Sequence, residues 1–272
     1  MTRPLRNMGD TDQYLSAGIK EYRKCFVGYL DILGFKEAVL KSDNPDTLLF
    51  HLNRLFRHIE ISCRLKKFKN LDSLPVQFIW MSDSILFYTE DNSIEKFKYI
   101  SNIIAGFISN TIESGPFLYR GSLSHGDFYF DPKLNLYLGP AMIDAIDWEK
   151  KQNWSGVMLT PDCSDFAKKN HYDSLEAKIR ADRGRDYELS EVSGPLLVEY
   201  DVPLNGGLPS KKSLCLNWTV AAKMDFRASK LGHVLASVES ESERKSIEEK
   251  VDNTLEFLKY GKQFEKRIEI DD

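Results

Sequence analysis

Two apolar runs in this chain each carry one acid, and little else constrains its fold as tightly. The first is Val27-Gly28-Tyr29-Leu30-Asp31-Ile32-Leu33-Gly34-Phe35 and the second is Gln77-Phe78-Ile79-Trp80-Met81-Ser82-Asp83-Ser84-Ile85-Leu86-Phe87. Their aromatic and β-branched residues read as strands. A buried strand seldom keeps a lone carboxylate, because desolvating the charge is costly unless it is paired or metal-bound. Brought together, Asp31 and Asp83 offer hard oxygen ligands for a divalent cation. Taken singly each has a plainer use: Asp31 as a cap on the helix that follows, Asp83 as a turn residue.

The runs sit in a patterned chain. Gly34 breaks the first strand, and a helix begins at Phe35. Asp46 to Lys67 has apolar residues at helical spacing. The second run folds back at Ser82-Asp83-Ser84, which predicts a hairpin with an acid at its tip. Ser93 to Glu113 reads as an amphipathic helix ended by Gly115-Pro116, and Leu118 to Gly126 as a strand. A helix starts at Pro140, a favoured first position, and ends near Asn153. A strand at 156–160 and a helix at 161–170 follow. Beyond residue 171 the pattern loosens: a charged loop or helix over Ala177–Arg185, strands at 195–201 and 213–218, and a long charged helix from Glu239 to Tyr260 that could pack on a second subunit. The order predicts an α+β domain, with a mixed or antiparallel sheet flanked by helices. It divides as an arm at 1–22, a catalytic domain at 23–170 and an extension at 171–272, packed on that domain or on a dimer partner.

Composition narrows the class of function. The 272 residues are 42% hydrophobic with a net charge of −4, so a sizeable core is available and nucleic acid is not an expected partner. A polymerase-like palm would also carry two acids on a sheet, but the charge balance opposes it. The basic segment Arg64–Lys69 reads as a solvated helix end. Cys25, Cys63, Cys163 and Cys215 form no CxxC pair, which argues against zinc or a disulfide framework and for a reducing cytoplasm. No leader or membrane span is expected. Neither GxGxxG after a strand nor GxxxxGK[ST] occurs.

Four segments together resemble the class III nucleotidyl cyclases over about residues 25–160. They are Leu30-Asp31-Ile32-Leu33-Gly34-Phe35, Met81-Ser82-Asp83-Ser84, Arg120-Gly121-Ser122-Leu123-Ser124-His125-Gly126 and Leu138-Gly139-Pro140-Ala141. The resemblance implies a class III cyclase-like fold. It also implies two Mg²⁺ or Mn²⁺ ions held by Asp31, Asp83 and the Ile32 carbonyl, with Arg120 as the catalytic cation. Where purine cyclases read the base with a Lys and an Asp, this chain has Ile79 and Leu136. Ile143 and Asp147 stand where the family's helix Asn and Arg would be. Retained acids and lost purine readers look like the stand-alone pyrimidine cyclases of Pycsar antiphage defence. That likeness implies a homodimer making cyclic UMP, or cyclic CMP, from UTP or CTP, and signalling to a separate membrane or TIR effector. Two alternatives stay open: a purine cyclase with relocated base contacts, and a degenerate nucleotide-binding module without turnover.

Phe35, Trp80 and Lys150 are candidate substrate contacts. Tyr29 is a further aromatic that could stack on a base. Lys150 and Lys151 end a helix, where a solvated pair is ordinary. His125 reads as structural, and Cys163 and Cys215 have no basic neighbour to activate them.

Overall fold

The computed structural model describes residues 22–40, 46, 49–50, 52–54, 56–57, 59, 76–114, 117–181, 190–220 and 241–268. The arm up to residue 21, the second half of the 46–67 helix, Cys63, the basic segment 64–69, Gly115-Pro116 and residues 182–189 lie outside them.

Strand β1 (Arg23–Leu33) is central, with β3 (Ser84–Tyr88) on one side and β4 (Leu118–Asp131) on the other. A strand covered on both faces must be apolar on both. Cys25, Phe26 and Val27 are accordingly buried in succession, as are all five residues of β3. The remaining main-sheet strands are β2 (Gln77–Met81), β5 (Leu136–Leu138), β6 (Gly156–Leu159), β9 (Leu197–Val202) and β10 (Lys211–Leu216). They complete an eight-stranded sheet in the order β2-β3-β1-β4-β6-β10-β9, with β5 paired to β4. Only β4 and β6 run parallel among these pairs; the sheet is mixed, and the domain is α+β.

The faces differ in cover. On one lies α2 (Ile94–Ser114), whose Phe97, Ile100, Ile104, Phe107 and Ile108 form an i, i+3/i+4 stripe with no exposure. With α4 (Pro161–Lys169) and α5 (Glu241–Lys262) it closes a large core that contains Leu30, Ile85, Leu123, Trp154 and Phe257. The opposite face holds a smaller cluster of Cys25, Val27, Leu86, Tyr88, Phe128 and Ala141. It is covered by α3 (Pro140–Lys151). Small side chains let this helix sit close: the Ser124 and Ser122 hydroxyls donate to the Ala141 and Ala145 carbonyls, both at 2.5 Å. Gly139 sets the approach, at φ 146°, where a Cβ would stand 2.4 Å from the Asp127 carbonyl.

The structure departs from the sequence reading in two places, residues 177–181 and the length of β4. Residues 177–181 are not loop or helix: Glu176–Ala181 is β7, paired with β8 (Ser190–Pro195), which also pairs with β11 (Lys266–Ile268) in a three-stranded sheet. The charges there hid a strict alternation, Ala-Lys-Ile-Arg-Ala. Strand β4 runs on past Gly126 to Asp131, because β5 pairs with its end. The long C-terminal helix packs on its own sheet through Val251, Phe257 and Leu258, and β9 and β10 extend the sheet of the first 170 residues.

Candidate functional site at the end of strands β1 and β3

Strand register brings the two acids together. Asp31 lies opposite Ser84, and the Ile32 N–H donates to the Asp83 carbonyl at 2.8 Å. Asp83 sits in the β2–β3 turn beside Ser82, whose φ of 55° makes the tight reversal. Gly34, at φ 75°, turns the chain out of β1 into the short α1 (Phe35–Leu40). Both acids thus stand where apolar strands meet irregular backbone, and both are partly accessible.

On its other side Asp31 faces Arg120 directly across the β1–β4 ladder. One guanidinium nitrogen, Nη2, is 3.9 Å from Asp31 Oδ2. The rest of the group is already engaged: Nε donates to Glu149 Oε1 at 2.5 Å, and Nη1 donates to the Gln152 carbonyl at 3.1 Å. Glu149 is 2% exposed and Arg120 13%. Gln152 is itself buried and fully bonded, its amide donating to the Gly121 and Trp148 carbonyls while its Oε1 accepts from Trp154 Nε1. This lattice fixes the guanidinium plane and leaves one edge turned toward Asp31.

Burial raises the pKa of both Asp31 and Glu149 above the usual carboxylate range, and Arg120 partly offsets this at each. At Asp31 the neighbouring Asp83 charge pushes the same way as burial, and Lys150 opposes it. Two acids that repel each other at an accessible edge are suited to a hard divalent cation, which would relieve the repulsion. Asp31 and Asp83 supply carboxylates, and Ile32 could add its carbonyl. Among the described residues no group of three or more His, Cys, Asp or Glu side chains could hold a metal ion, so the remaining ligands would come from water or phosphate.

The other candidates sit as follows. Trp80 pairs with Ile85, which pairs with Leu30, so its ring is on the large-core face, opposite to Asp31; its Nε1 donates to the Ser82 carbonyl at 2.6 Å. Phe35 packs against the same core near Phe117. Ile79, in contrast, shares Asp31's face and packs on the smaller cluster. Lys150 is exposed within electrostatic reach of Asp31, and Lys151 lies over the Trp148 ring at 4.1 Å. Tyr29 reaches Ser84 through its hydroxyl at 2.7 Å, and the Ser84 hydroxyl turns toward Asp83 Oδ1 at 3.5 Å. His125 stacks on Phe166 with ring centres 3.8 Å apart, toward the other end of β4, and burial lowers its pKa. Cys163 and Cys215 are wholly buried, with thiol pKa values pushed up by burial.

Sequence reasoning gave no role to Glu149 or Gln152. Glu149 left a trace: it continues the stripe Ala141, Ala145, Glu149 at steps of four, where an apolar residue would be expected.

Comparison with known proteins gave no matching family model and no matching curated relative. Among solved structures the chain is similar to the catalytic core of a rhodopsin-guanylyl cyclase with converted specificity in complex with ATPαS. That match has 14% identity and a TM-score of 0.46, and covers 72% of this chain and 96% of that one. It is also similar to a bacterial light-regulated adenylyl cyclase, at 11% identity and TM-score 0.47, covering 80% and 100%. A third is an adenylate/guanylate cyclase/hydrolase from Silicibacter pomeroyi, at 14% identity and TM-score 0.41, covering 72% and 98%. With identities this low and TM-scores below 0.5, the likeness assigns no activity to this chain. Among the described residues, no helix is long and apolar enough to cross a membrane.

Proposed function

We propose that the chain is a nucleotidyl cyclase that turns a pyrimidine nucleoside triphosphate, UTP before CTP, into its 3′,5′-cyclic monophosphate and pyrophosphate. The observation that carries this reading is the meeting of Asp31 and the Asp83 turn at one sheet edge, with the Arg120 guanidinium locked against Asp31. In the reaction the ribose 3′-oxygen attacks the α-phosphorus and gives up its proton to solvent. The Pα–O bond to the β-phosphate breaks, and pyrophosphate leaves. Mg²⁺ or Mn²⁺, two per site, would supply activation of the hydroxyl and neutralisation of the phosphates when bound.

The chain's own groups do the positioning, which dominates phosphoryl transfer. Arg120 favours the ionised form of Asp31 and offsets part of the effect of burial on it. Because Glu149 and the Gln152 carbonyl hold the guanidinium, it need not reorganise as charge develops. Lys150, exposed nearby, adds positive potential for a polyanion.

Base choice rests on Ile79, on Asp31's face, and on Leu136, which is 40% exposed. Apolar side chains there leave a purine's polar edge without partners, at about 1–3 kcal/mol per lost bond. A homodimer belongs to the same reading, supported by exposed Met81, Leu134, Leu136 and Ile143. So does a cytoplasmic second-messenger role in antiphage defence, through a membrane or TIR effector.

One observation favours a second reading, a nucleotide-binding module without turnover: Arg120 is already bonded to Glu149 and Gln152. Purified protein incubated with each of the four nucleoside triphosphates and Mn²⁺ separates the possibilities. Cyclic UMP or cyclic CMP is the expected product. Cyclic AMP or GMP alone rejects the pyrimidine assignment. Nucleotide binding with no cyclic product from any substrate establishes the module.

A further inference from the structure

Strand register puts two hydroxyls beside the two acids. Asp31 lies opposite Ser84, and Tyr29, two residues back along β1 and so on the same face, lies opposite Leu86. Tyr29 and Ser84 are thus diagonal neighbours across the β1–β3 ladder, a spacing that a tyrosine can bridge. It does so: the two hydroxyl oxygens are 2.7 Å apart. Ser84 is also the residue after Asp83, and its hydroxyl reaches Asp83 Oδ1 at 3.5 Å. The serine therefore faces one acid across the ladder and adjoins the other along the chain.

With Asp83 ionised, as a cation ligand is, the protons in this line have one arrangement. A carboxylate only accepts, so Ser84 donates to Asp83. The single serine proton is then committed, and the other bond runs from the Tyr29 O–H to the Ser84 oxygen. Accepting that bond polarises the serine hydroxyl and makes it a better donor. The last link is longer than an ordinary O–H···O bond, and bonds of this kind in a free site tighten when the ligand arrives. Packing alone does not ask for either hydroxyl. Ser84 is buried at the start of a strand that continues Ile-Leu-Phe-Tyr, and the row that holds Tyr29 continues through Leu86 to Ile79. Alanine and phenylalanine would fill these two places with no polar group to satisfy.

We infer that Tyr29 is a positioning residue for a divalent cation: through Ser84 it fixes the Asp83 carboxylate, engaging one oxygen and leaving the other as a ligand beside Asp31. The inference rests on the cyclase reading above for the purpose of the cation. It adds two residues that act through Asp83 and not on the nucleotide. Hydrogen bonds to a ligating carboxylate orient it and raise its affinity for the ion. The link also crosses the ladder. A tyrosine on the strand of Asp31 grips the hairpin that carries Asp83, so the separation of the two acids is held by side chains as well as by backbone.

The test titrates Mn²⁺ alone into the full chain, followed by calorimetry. Ser84→Ala should weaken Mn²⁺ binding roughly tenfold to a hundredfold, the effect of removing a bond to a ligating group. Tyr29→Phe removes only the remote hydroxyl and should weaken it roughly twofold to tenfold. The double variant Tyr29→Phe/Ser84→Ala should bind as Ser84→Ala does, because the phenol acts through the serine. Ser84→Thr keeps a hydroxyl and should restore most of the affinity. If Ser84→Ala does not fold, Tyr29→Phe and Ser84→Thr carry the comparison. A purely structural role would lower the urea midpoint of Tyr29→Phe and leave its Mn²⁺ affinity at the parent value. That result overturns the inference, as do additive losses in the double variant or no Mn²⁺ binding by the parent. Cyclic-product formation reports the cyclase reading separately. A parent that binds Mn²⁺ with this dependence on Tyr29 but makes no cyclic nucleotide overturns that reading and supports this inference. A parent that makes cyclic nucleotide while Tyr29→Phe binds Mn²⁺ unchanged does the reverse.

Discussion

Arg120 and Glu149 form a buried ion pair across the β4–α3 contact, with Nε 2.5 Å from Oε1 and Glu149 only 2% exposed. The next carboxylate, Asp31, is 3.9 Å from the far edge of the guanidinium, a longer contact than that to Glu149. Breaking such a pair from one side leaves the other charge desolvated. Glu149→Ala should therefore cost about 3–5 kcal/mol in urea unfolding. The double variant Arg120→Met/Glu149→Met should recover most of that while remaining inactive. An additive double variant would mean the two charges do not act as a pair.

Asp31 and Asp83 should behave in the opposite way. Asp31 has its pKa raised mainly by burial, so the fold gives up stability to keep it ionised. Asp31→Asn should fold with a melting temperature no lower than the parent, yet lose on the order of a hundredfold or more in turnover. Asp83→Asn should lose turnover similarly. Retained activity in either variant, measured as cyclic product per minute with Mn²⁺, would remove that acid from the chemistry.

These contrasts also show what the sequence made readable. The Ser82-Asp83-Ser84 turn identified the β2–β3 hairpin, because hairpin chemistry is local, whereas the pairing of β1 with β3 that brings Asp31 to this turn is long-range and was only a condition of the reading. Helices α2 and α3 announced themselves by period and by Pro140. The side of the sheet on which Trp80 falls was also available, since the turn forces Met81 opposite Ser84 and hence Trp80 opposite Ile85, but it requires following parity across three strands. Glu149 was hidden because its partner lies on another element, twenty-nine residues earlier. Strand β7 was missed because alternation was masked by charge.

The pH dependence follows from the same carboxylates. Their pKa values in the fold lie above the ordinary 3.8 of Asp31 and 4.5 of Glu149. Between the ordinary and the raised values the folded chain binds more protons than the unfolded one, so stability falls as pH rises through that window. Activity runs the other way, because protonated Asp31 is a poor ligand. Its acid limb should lie above the pH at which an ordinary aspartate titrates. Lys150 lowers the Asp31 pKa, so Lys150→Met should move that limb to higher pH. Asp31→Asn should flatten the fall in stability, read from urea midpoints across pH 4 to 7. A limb unmoved by Lys150→Met would show that the lysine does not act on Asp31.

The last prediction concerns how α5 is held against the strands that carry the site. Phe257, fully buried, meets Trp154 edge-on with ring centres 4.6 Å apart and planes at 90°, and Tyr200 at 4.9 Å. Trp154 is tied by its Nε1 to Gln152, whose carbonyl holds Arg120. Phe257→Ala opens a cavity at this junction and should cost about 3–5 kcal/mol. Phe257→Leu conserves more of the volume and should cost less, about 1–1.5 kcal/mol. Both costs are read from urea unfolding, and a Phe257→Ala variant as stable as the parent would show that this aromatic junction does not hold α5 on the sheet.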